Sequence, residues 1–301
     1  MEFIRSSLLK DHTTATEVKK IDLPVNPLSH LIISMDGYNA TDEATLAEIL
    51  AFINKVTVTH LGTSILDLES EDLAALNAYL YHAHPILTNN VATDNAARVL
   101  SLIVPFGRHI FDPDECFPAT MKGELTLSLD TTVPATSFDN STLNIEAVEL
   151  LGAAPKRYLK STLKSVAAPG ATGDNDIDLP RGNKIVALLL YNTTFPSTSS
   201  HTYGIDTVKL LVDNKELGYS LARAQCLVGD MIFKLQTLSR DIAAFGQVLP
   251  AHYFWMDFNP ADNDNFLLET KGKSSVILRA GMGVNEAAKV TVVELVDVSG
   301  A

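Results

Sequence analysis

"IDLPVNPLSHLIISMDGYN", from Ile21 to Asn39, and "IDLPRGNKIVALLLYNTTF", from Ile177 to Phe195, open on the same tetrapeptide and continue into an apolar run. The two copies stand 156 residues apart (177 minus 21) in a chain of 301. Proline fixes its own φ and pushes the residue before it towards extended backbone, so Leu23-Pro24 and Leu179-Pro180 each set the approach to a long buried strand. Two further landmarks pair. Ile53 and Val56 match Ile205 and Val208 at 152 (205 minus 53), and Val148-Glu149-Leu150 matches Val293-Glu294-Leu295 at 145 (293 minus 148). The offsets fall in chain order, as two copies of one domain with unequal loops would give. A period of about 150 residues is too long for a solenoid repeat or a propeller blade, so the repeat is of whole domains.

Within each half, strand signals dominate and helices interrupt them. In the first, "LSHLIISM" (28–35) predicts a buried strand closed by a turn at "DGYN". "TDEATLAEILAFINKV" then puts Leu46, Ile49, Leu50, Ile53 and Val56 at helical spacing, with Thr41 as N-cap. "VTVTHLG" alternates as a strand, and "ESEDLAALNAYLYHA" predicts a helix with Leu73, Leu76 and Leu80 on one face. From Ala97 come "RVLSLIVPFG", "GELTLSLDT" and "STLNIEAVEL"; the second sets Leu125, Leu127 and Leu129 against Glu124, Thr126 and Ser128, a strand with one wet face. "LGAAPKRYLKSTLKSVAAPGATGDND" (151–176) breaks the periodicity with small residues, Gly and Pro. The boundary is therefore expected at Gly152 to Pro155, with residues 1–20 as an N-terminal arm, 21–152 as the first domain and 153–301 as the second.

The second half runs strand, strand, helix, strand, strand, strand. Its helix, over "SLARAQCLVGDMIFKLQTLSRDIAAF", carries Leu221, Cys226, Ile232, Leu235 and Leu238 as its apolar stripe. Seven or eight short strands with helix-bearing connections in roughly 145 residues indicate an antiparallel sandwich. A βαβ reading fails, because no Gly-rich phosphate loop follows the first strand. Among sandwiches, the jelly roll best accommodates large insertions. The expected fold is mainly β: two tandem jelly-roll β-sandwiches, a double jelly roll, with helices inserted between strands.

Composition narrows the function. With 46% hydrophobic residues the chain can bury a sizeable core, while a net charge of -13 argues against a partner with a phosphate backbone. The most basic stretch, "PKRYLKSTLK" (155–164), reads as a solvated strand face. Two cysteines, Cys116 and Cys226, without C-x-x-C spacing, predict buried free thiols in a reducing compartment. "MEFIRSSLLKDH" lacks the apolar core of a secretory signal, and no run approaches the ~18 apolar residues of a membrane span.

Chemistry-bearing motifs are sparse. His82 and His84 form an H-x-H, but the glutamate that a cupin metal site would add is missing from "PILTNNVATDN", and the pair closes a helix whose dipole favours it. In "FNPADNDN" (258–265), Asp262 and Asp264, with Asn263 and Asn265, are the hard-oxygen candidates for structural calcium. The glycine and distal glutamate of an EF-hand loop are absent, and an Asn/Asp turn is the commoner explanation of the stretch, as it is of "GDNDID" (173–178). Arg108 in "PFGRH" is expected to pair with Asp112 or Asp114, and Trp255 in "HYFWMDF" to pack in a core or interface. No nucleophile-elbow, H-E-x-x-H, Walker or dinucleotide motif occurs, so neither catalytic residues nor a cofactor are expected.

From about Asp22 to Val298 the chain resembles the double jelly-roll major capsid proteins of tailless icosahedral viruses, the lineage of corticoviruses, tectiviruses and adenoviruses. "STLKSVAAPGATGDNDIDLPRGNKIVALLLYN" followed by "YGIDTVKLLVDNKE" is similar to the corticovirus coat protein in its order, and "RVLSLIVPFGR" through "FPATMKGELTLSLD" resembles the family's late strands. The two helices of the first half exceed what the simplest members carry. The resemblance implies a non-enzymatic protein of the virion capsid, made in the host cytoplasm. It implies a homotrimer of pseudo-hexagonal outline that tiles an icosahedral shell beside neighbouring capsomers and minor capsid or penton proteins, without direct nucleic-acid binding. It also implies an N-terminal segment near an internal viral membrane, here with apolar Phe3, Ile4, Leu8 and Leu9 and cationic Arg5 and Lys10. The competing function class is a carbohydrate-binding or glycan-processing sandwich. That class needs an exposed aromatic pair or two carboxylates about 5 to 9 Å apart in a groove.

Overall fold

The computed structural model describes residues 2–40, 44–82, 94–133, 138–196, 199–235 and 252–298. They form two compact units. The first holds the described residues up to Thr162 with Asp297 and Val298; the second holds those from Leu163 to Val296.

In the first unit the elements run β1 (Glu2–Thr13), β2 (Glu17–Asp22), β3 (Leu28–Asn39), α1 (Leu46–Leu50), β4 (Ile53–His60), β5 (Thr63–Leu68), α2 (Ser70–Tyr81), β6 (Ala97–Pro105), β7 (Leu125–Thr131), β8 (Phe138–Leu151) and β9 (Arg157–Val166), whose last residues belong to the second unit. One sheet has the order β1-β8-β3-β6 and the other β2-β7-β4-β5-β9. All pairings are antiparallel except β5 with β9, which is parallel at Leu66 opposite Ser161 and Asp67 opposite Thr162. Leu125, Leu127 and Leu129 of β7 point into the core and the residues between them outward, as their alternation predicts.

The second unit continues with β10 (Gly173–Asp178), β11 (Lys184–Asn192), β12 (Ile205–Val212), β13 (Lys215–Glu216), β14 (Ala222–Arg223), α3 (Ala224–Leu235), β15 (Tyr253–Asp257), β16 (Leu268–Glu269), β17 (Val276–Met282) and β18 (Ala288–Asp297). Its sheets have the orders β9-β18-β11-β15 and β10-β17-β12-β13, with β14 added on β12 and β16 on β11. Element by element these are the orders of the first unit.

The repeat extends to the register. Ile21 faces Leu127, which faces Val58; Ile177 faces Leu278, which faces Leu210. The Leu23 N–H donates to the Leu125 carbonyl at 2.9 Å, and the Leu179 N–H to the Val276 carbonyl at 2.9 Å. Both long strands carry a bulge at the same place. Between Leu28 and His30 the pairing skips one residue opposite Glu149-Val148, and between Ile185 and Ala187 it skips one opposite Glu294-Val293. In each unit the Ile-Asp-Leu-Pro segment thus lies on the penultimate strand of one sheet, and the Val-Glu-Leu segment lies opposite the bulge of the other.

Several sequence expectations give way to tertiary structure. β3 continues through "DGYN". Gly37 is there for room and not for a turn, because a Cβ at that position would stand 2.3 Å from the Phe138 ring. The helix expected over 41–56 is the five residues of α1, opened by a capping box between Thr45 and Glu48; Thr41 lies outside the described residues. Ile53 and Val56 belong to β4, where their β-branched side chains fit the pleat. The buried face of α3 is Ala224, Leu227, Val228, Met231 and Leu235, so Cys226 and Ile232 face solvent, Leu221 precedes the helix, and Leu238 lies outside the described residues. Cys226 is accordingly exposed, whereas Cys116 is buried and burial pushes its thiol up to about 12. Residues 2–20, expected as an arm, form β1 and most of β2; β1 pairs with β8 from Glu2 opposite Leu151 to Thr13 opposite Thr142. The stretch 151–176 that breaks the apolar periodicity contains β9, over most of the strand face expected at 155–164, and the start of β10.

Candidate assembly surfaces

At the start of each long strand an asparagine holds the buried glutamate of the Val-Glu-Leu segment. Asn26 Nδ2 donates to Glu149 Oε2 at 2.7 Å, and Asn183 Nδ2 to Glu294 Oε1 at 2.9 Å. Ser6 of β1 adds a hydroxyl to Glu149 at 3.3 Å. Each asparagine stands two residues before its bulge, so the amide ties the approach segment to the last strand where the ladder is interrupted. The one-residue insertion at Gly182 is why the tetrapeptides stand at one offset and the asparagines at the next.

The far ends of the two long strands close alike. Each ends in Tyr-Asn, at Tyr38-Asn39 and Tyr191-Asn192, with the asparagine fully buried. The Asn39 N–H donates to the Ala96 carbonyl at 3.0 Å, and the Asn192 N–H to the His252 carbonyl at 3.3 Å. Asn39 Oδ1 accepts from the Ala44 N–H and from Arg98, and Asn192 Oδ1 from the Gly204 N–H. This fourth landmark, at an offset of 153 (192 minus 39), is legible in the two opening stretches and was missed because "DGYN" reads as a turn.

Beyond β6 of the first unit lies a buried ionic cluster. Glu115 receives Arg108 through Nε at 2.9 Å and through Nη2, and Arg157 Nη2 stands 2.7 Å from its Oε1. Burial alone would raise the Glu115 carboxyl; the hydrogen bonds and charge of Arg108, with the charge of Arg157, outweigh it and hold the carboxyl below its ordinary range. Arg108 therefore pairs with Glu115 and not with Asp112 or Asp114. Asp112 accepts the Asp114 N–H at 2.9 Å, and Asp114 meets Lys156 at the surface at 3.0 Å. Gly107 lets this happen, since a Cβ there would stand 2.0 Å from the Glu115 carbonyl oxygen.

The same loop presents an apolar surface. Phe111, at φ 65°, meets the ring of Phe3 edge-on at 5.4 Å, and Ile4 and Ile110 are exposed beside them in sequence. The Phe111 N–H donates to Ser29 Oγ at 2.7 Å, and Ser29 Oγ lies 2.9 Å from Nδ1 of His30, whose ring meets Phe111 at 5.3 Å. Burial, helped by the charge of Arg5, pushes the His30 imidazole down to about 4, so it is neutral near pH 7. Phe3 and Phe111 are an exposed aromatic pair, but their rings cross at 73° and form no flat platform. In the second unit the exposed apolar residues are Leu217, Leu221, Ile232, Phe233 and Phe266.

The sequence-predicted site residues fall elsewhere. Asp262, at φ 52°, accepts Asn259 Nδ2 at 3.0 Å, and Asp264 starts a single helical turn capped by Asn263, which is turn chemistry. Among the described residues no three His, Cys, Asp or Glu converge as a metal site. "GDNDID" is not a turn but β10, where Arg279 forks onto Asp176 at 2.6 and 2.8 Å and lowers its carboxyl. His82 is the left-handed C-cap of α2; His84 lies outside the described residues. Trp255 is buried in β15 between Phe254 and Met256, as expected of core packing.

No family model matches the chain, and no curated protein matches it in sequence. Solved structures do. The crystal structure of the STIV major capsid protein has a TM-score of 0.73 at 14% identity, covering 99% of this chain and 98% of that one. The major capsid protein P2 from bacteriophage PM2 gives 0.64 at 14% identity, covering 99% and 98%. A chain of the PBCV-1 virus capsid gives 0.61 at 11% identity, covering 98% and 94%. The chain therefore has the double jelly-roll fold of these capsid proteins over its whole length.

Proposed function

We propose that the chain is the major capsid protein of an icosahedral virus, a structural and non-enzymatic subunit of the virion shell made in the host cytoplasm. One observation carries this reading: two jelly rolls repeated in strand order, register and bulge, over the same length as the capsid proteins it resembles. Two like sandwiches in one chain let three chains present six like surfaces, so a homotrimer of pseudo-hexagonal outline tiles a shell beside its neighbours and the minor or penton proteins at its vertices. The acidic chain leaves nucleic acid to other components. The exposed Phe3, Ile4, Ile110 and Phe111, with Arg5 beside them, suit an internal lipid layer.

Light scattering on the purified protein tests this. A stable particle of about 98 kDa, three times 32.6 kDa, supports it, and electron microscopy of concentrated material should then show hexagonal sheets or shells. A strict monomer that forms neither would overturn the reading.

A further inference from the structure

Among the described residues, two strand edges that are occupied in one unit have no strand on them at the matching place in the other. β9 is the counterpart of β1: each precedes the strand that leads into Ile-Asp-Leu-Pro, and each lies beside the strand that carries Val-Glu-Leu. The second edge of β9 is taken by β5, in parallel, at Ser161 and Thr162. Among the described residues the second edge of β1 has no strand on it, although β1 is 12 residues long. An open strand edge of that length is a template for another strand, although the Asp11 N–H is already held by Asn144 Oδ1 at 2.8 Å.

The partner edge is found the same way. The hairpin β4–β5 pairs His60 with Thr63 across Leu61-Gly62, and β12–β13 pairs Val212 with Lys215 across Asp213-Asn214; all four turn residues have positive φ. Leu66, the β5 residue that meets β9, faces Val58. The counterpart of Val58 is Leu210, whose carbonyl accepts the Leu217 N–H at 3.1 Å and whose N–H donates to the Tyr219 carbonyl at 2.8 Å. The stretch from Leu217 to Leu221, bent at Gly218 (φ 71°) before β14 resumes, therefore holds the place of Leu66 and Asp67. It carries two outward leucines, Leu217 at 48% and Leu221 at 65% exposure.

We infer that β1 of one copy, from Ser6 to His12, docks on the Leu217–Leu221 segment of a second copy, in the parallel sense in which β9 meets β5. The half-buried Leu8 and Leu9 of β1 supply apolar side chains for the two leucines. Because the two edges differ, the joint is head-to-tail and builds rings, not two-fold pairs. That the ring closes at three rests on the capsid reading above.

The test uses the full chain. The double variant Leu217→Asp with Leu221→Asp alters only exposed side chains, so it should keep the parent's circular-dichroism spectrum and a cooperative melt while its association weakens at least roughly tenfold, to monomer at concentrations where the parent is trimeric. In the unaltered protein, an amine cross-linker applied to oligomers mixed from isotopically light and heavy chains should join Lys10 of one chain to Lys215 of another. A parent trimer that persists in the double variant and yields no such cross-link overturns the joint and leaves the capsid reading standing. A parent that is monomeric overturns both.

Discussion

The two units share strand order, register, bulge, asparagine–glutamate pair and a Tyr-Asn terminus with its asparagine buried, yet differ where chain leaves the sheets. In the first, β5 is one strand from Thr63 to Leu68, with a register shift opposite Val58 and Thr59; in the second the same stretch breaks into β13, a glycine bend and β14. The loop after β6 holds Arg108, Glu115 and Arg157 in a buried cluster, while the stretch after β15 is an Asn/Asp turn. The position after the bulge is a buried histidine, His30, in one unit and Ala187 in the other. What is duplicated is the backbone bonding that closes a sandwich, because register errors there turn whole strands inside out. Loops, which answer only to their own surroundings, are free to differ.

Predictions that break this comparison begin with its most one-sided feature. Glu115→Ala should destabilise the first unit by about 3–5 kcal/mol, because it strands two guanidinium groups around a buried void. Calorimetry should show one transition lowered and, if the units unfold separately, the other unmoved. Gly37→Ala should cost about 1–3 kcal/mol, since the ring of Phe138 must leave a packed site to admit the methyl group. A chemical-denaturation midpoint unchanged from the parent would contradict that account.

The shared pair offers a test of likeness. Glu149→Gln and Glu294→Gln should each cost about 1–2 kcal/mol, the difference between a charged and a neutral acceptor in a buried site. The loss should be larger at Glu294, which is 1% exposed against 7% for Glu149. A cost confined to one of the two would mean that the matching geometry does not carry matching energy.

A further test of the first unit is in pH. His30 has a folded value of about 4 against 6.5 unfolded, so the unfolded chain binds the extra proton between them. Its contribution is complete above pH 6.5 and is lost as pH falls towards 4. Glu115 is depressed below 4.5, so its contribution is complete above that value and is lost only at lower pH. Thermal melts of the parent should therefore slope downward from pH 6.5 to 4, and His30→Gln should flatten that slope without touching the fall below it. An unchanged slope in the variant would assign the titration to another group.

Much of the frame was legible. Period-two leucines in β7, the apolar run of β11, the acidic start of α2 and the Leu-Pro approaches all appear where their local chemistry places them. The duplication was visible from short matches because each marks a backbone constraint: Leu-Pro the extended approach, Glu the bulge. The partner of Arg108 was not legible. Asp112 and Asp114 are nearer in sequence, and only the close approach of the chain at Gly107 brings Glu115 under the guanidinium. The face of α3 was misjudged for a similar reason, since its sequence supports two apolar stripes and only the sheet beneath it selects one.

The sequence by itself determined that this chain is two copies of a mostly β sandwich with no catalytic motif, because periodicity, proline and turn chemistry act within a few residues of where they are written. Tertiary structure alone decided that residues 2–13 are a strand of the first sandwich and not an arm, that Glu115 and not its neighbouring aspartates meets the arginines, and that among the described residues no strand lies on the second edge of β1. Those outcomes depend on which distant segments share a sheet, and the free energy of pairing two strands is a property of both partners and of neither alone.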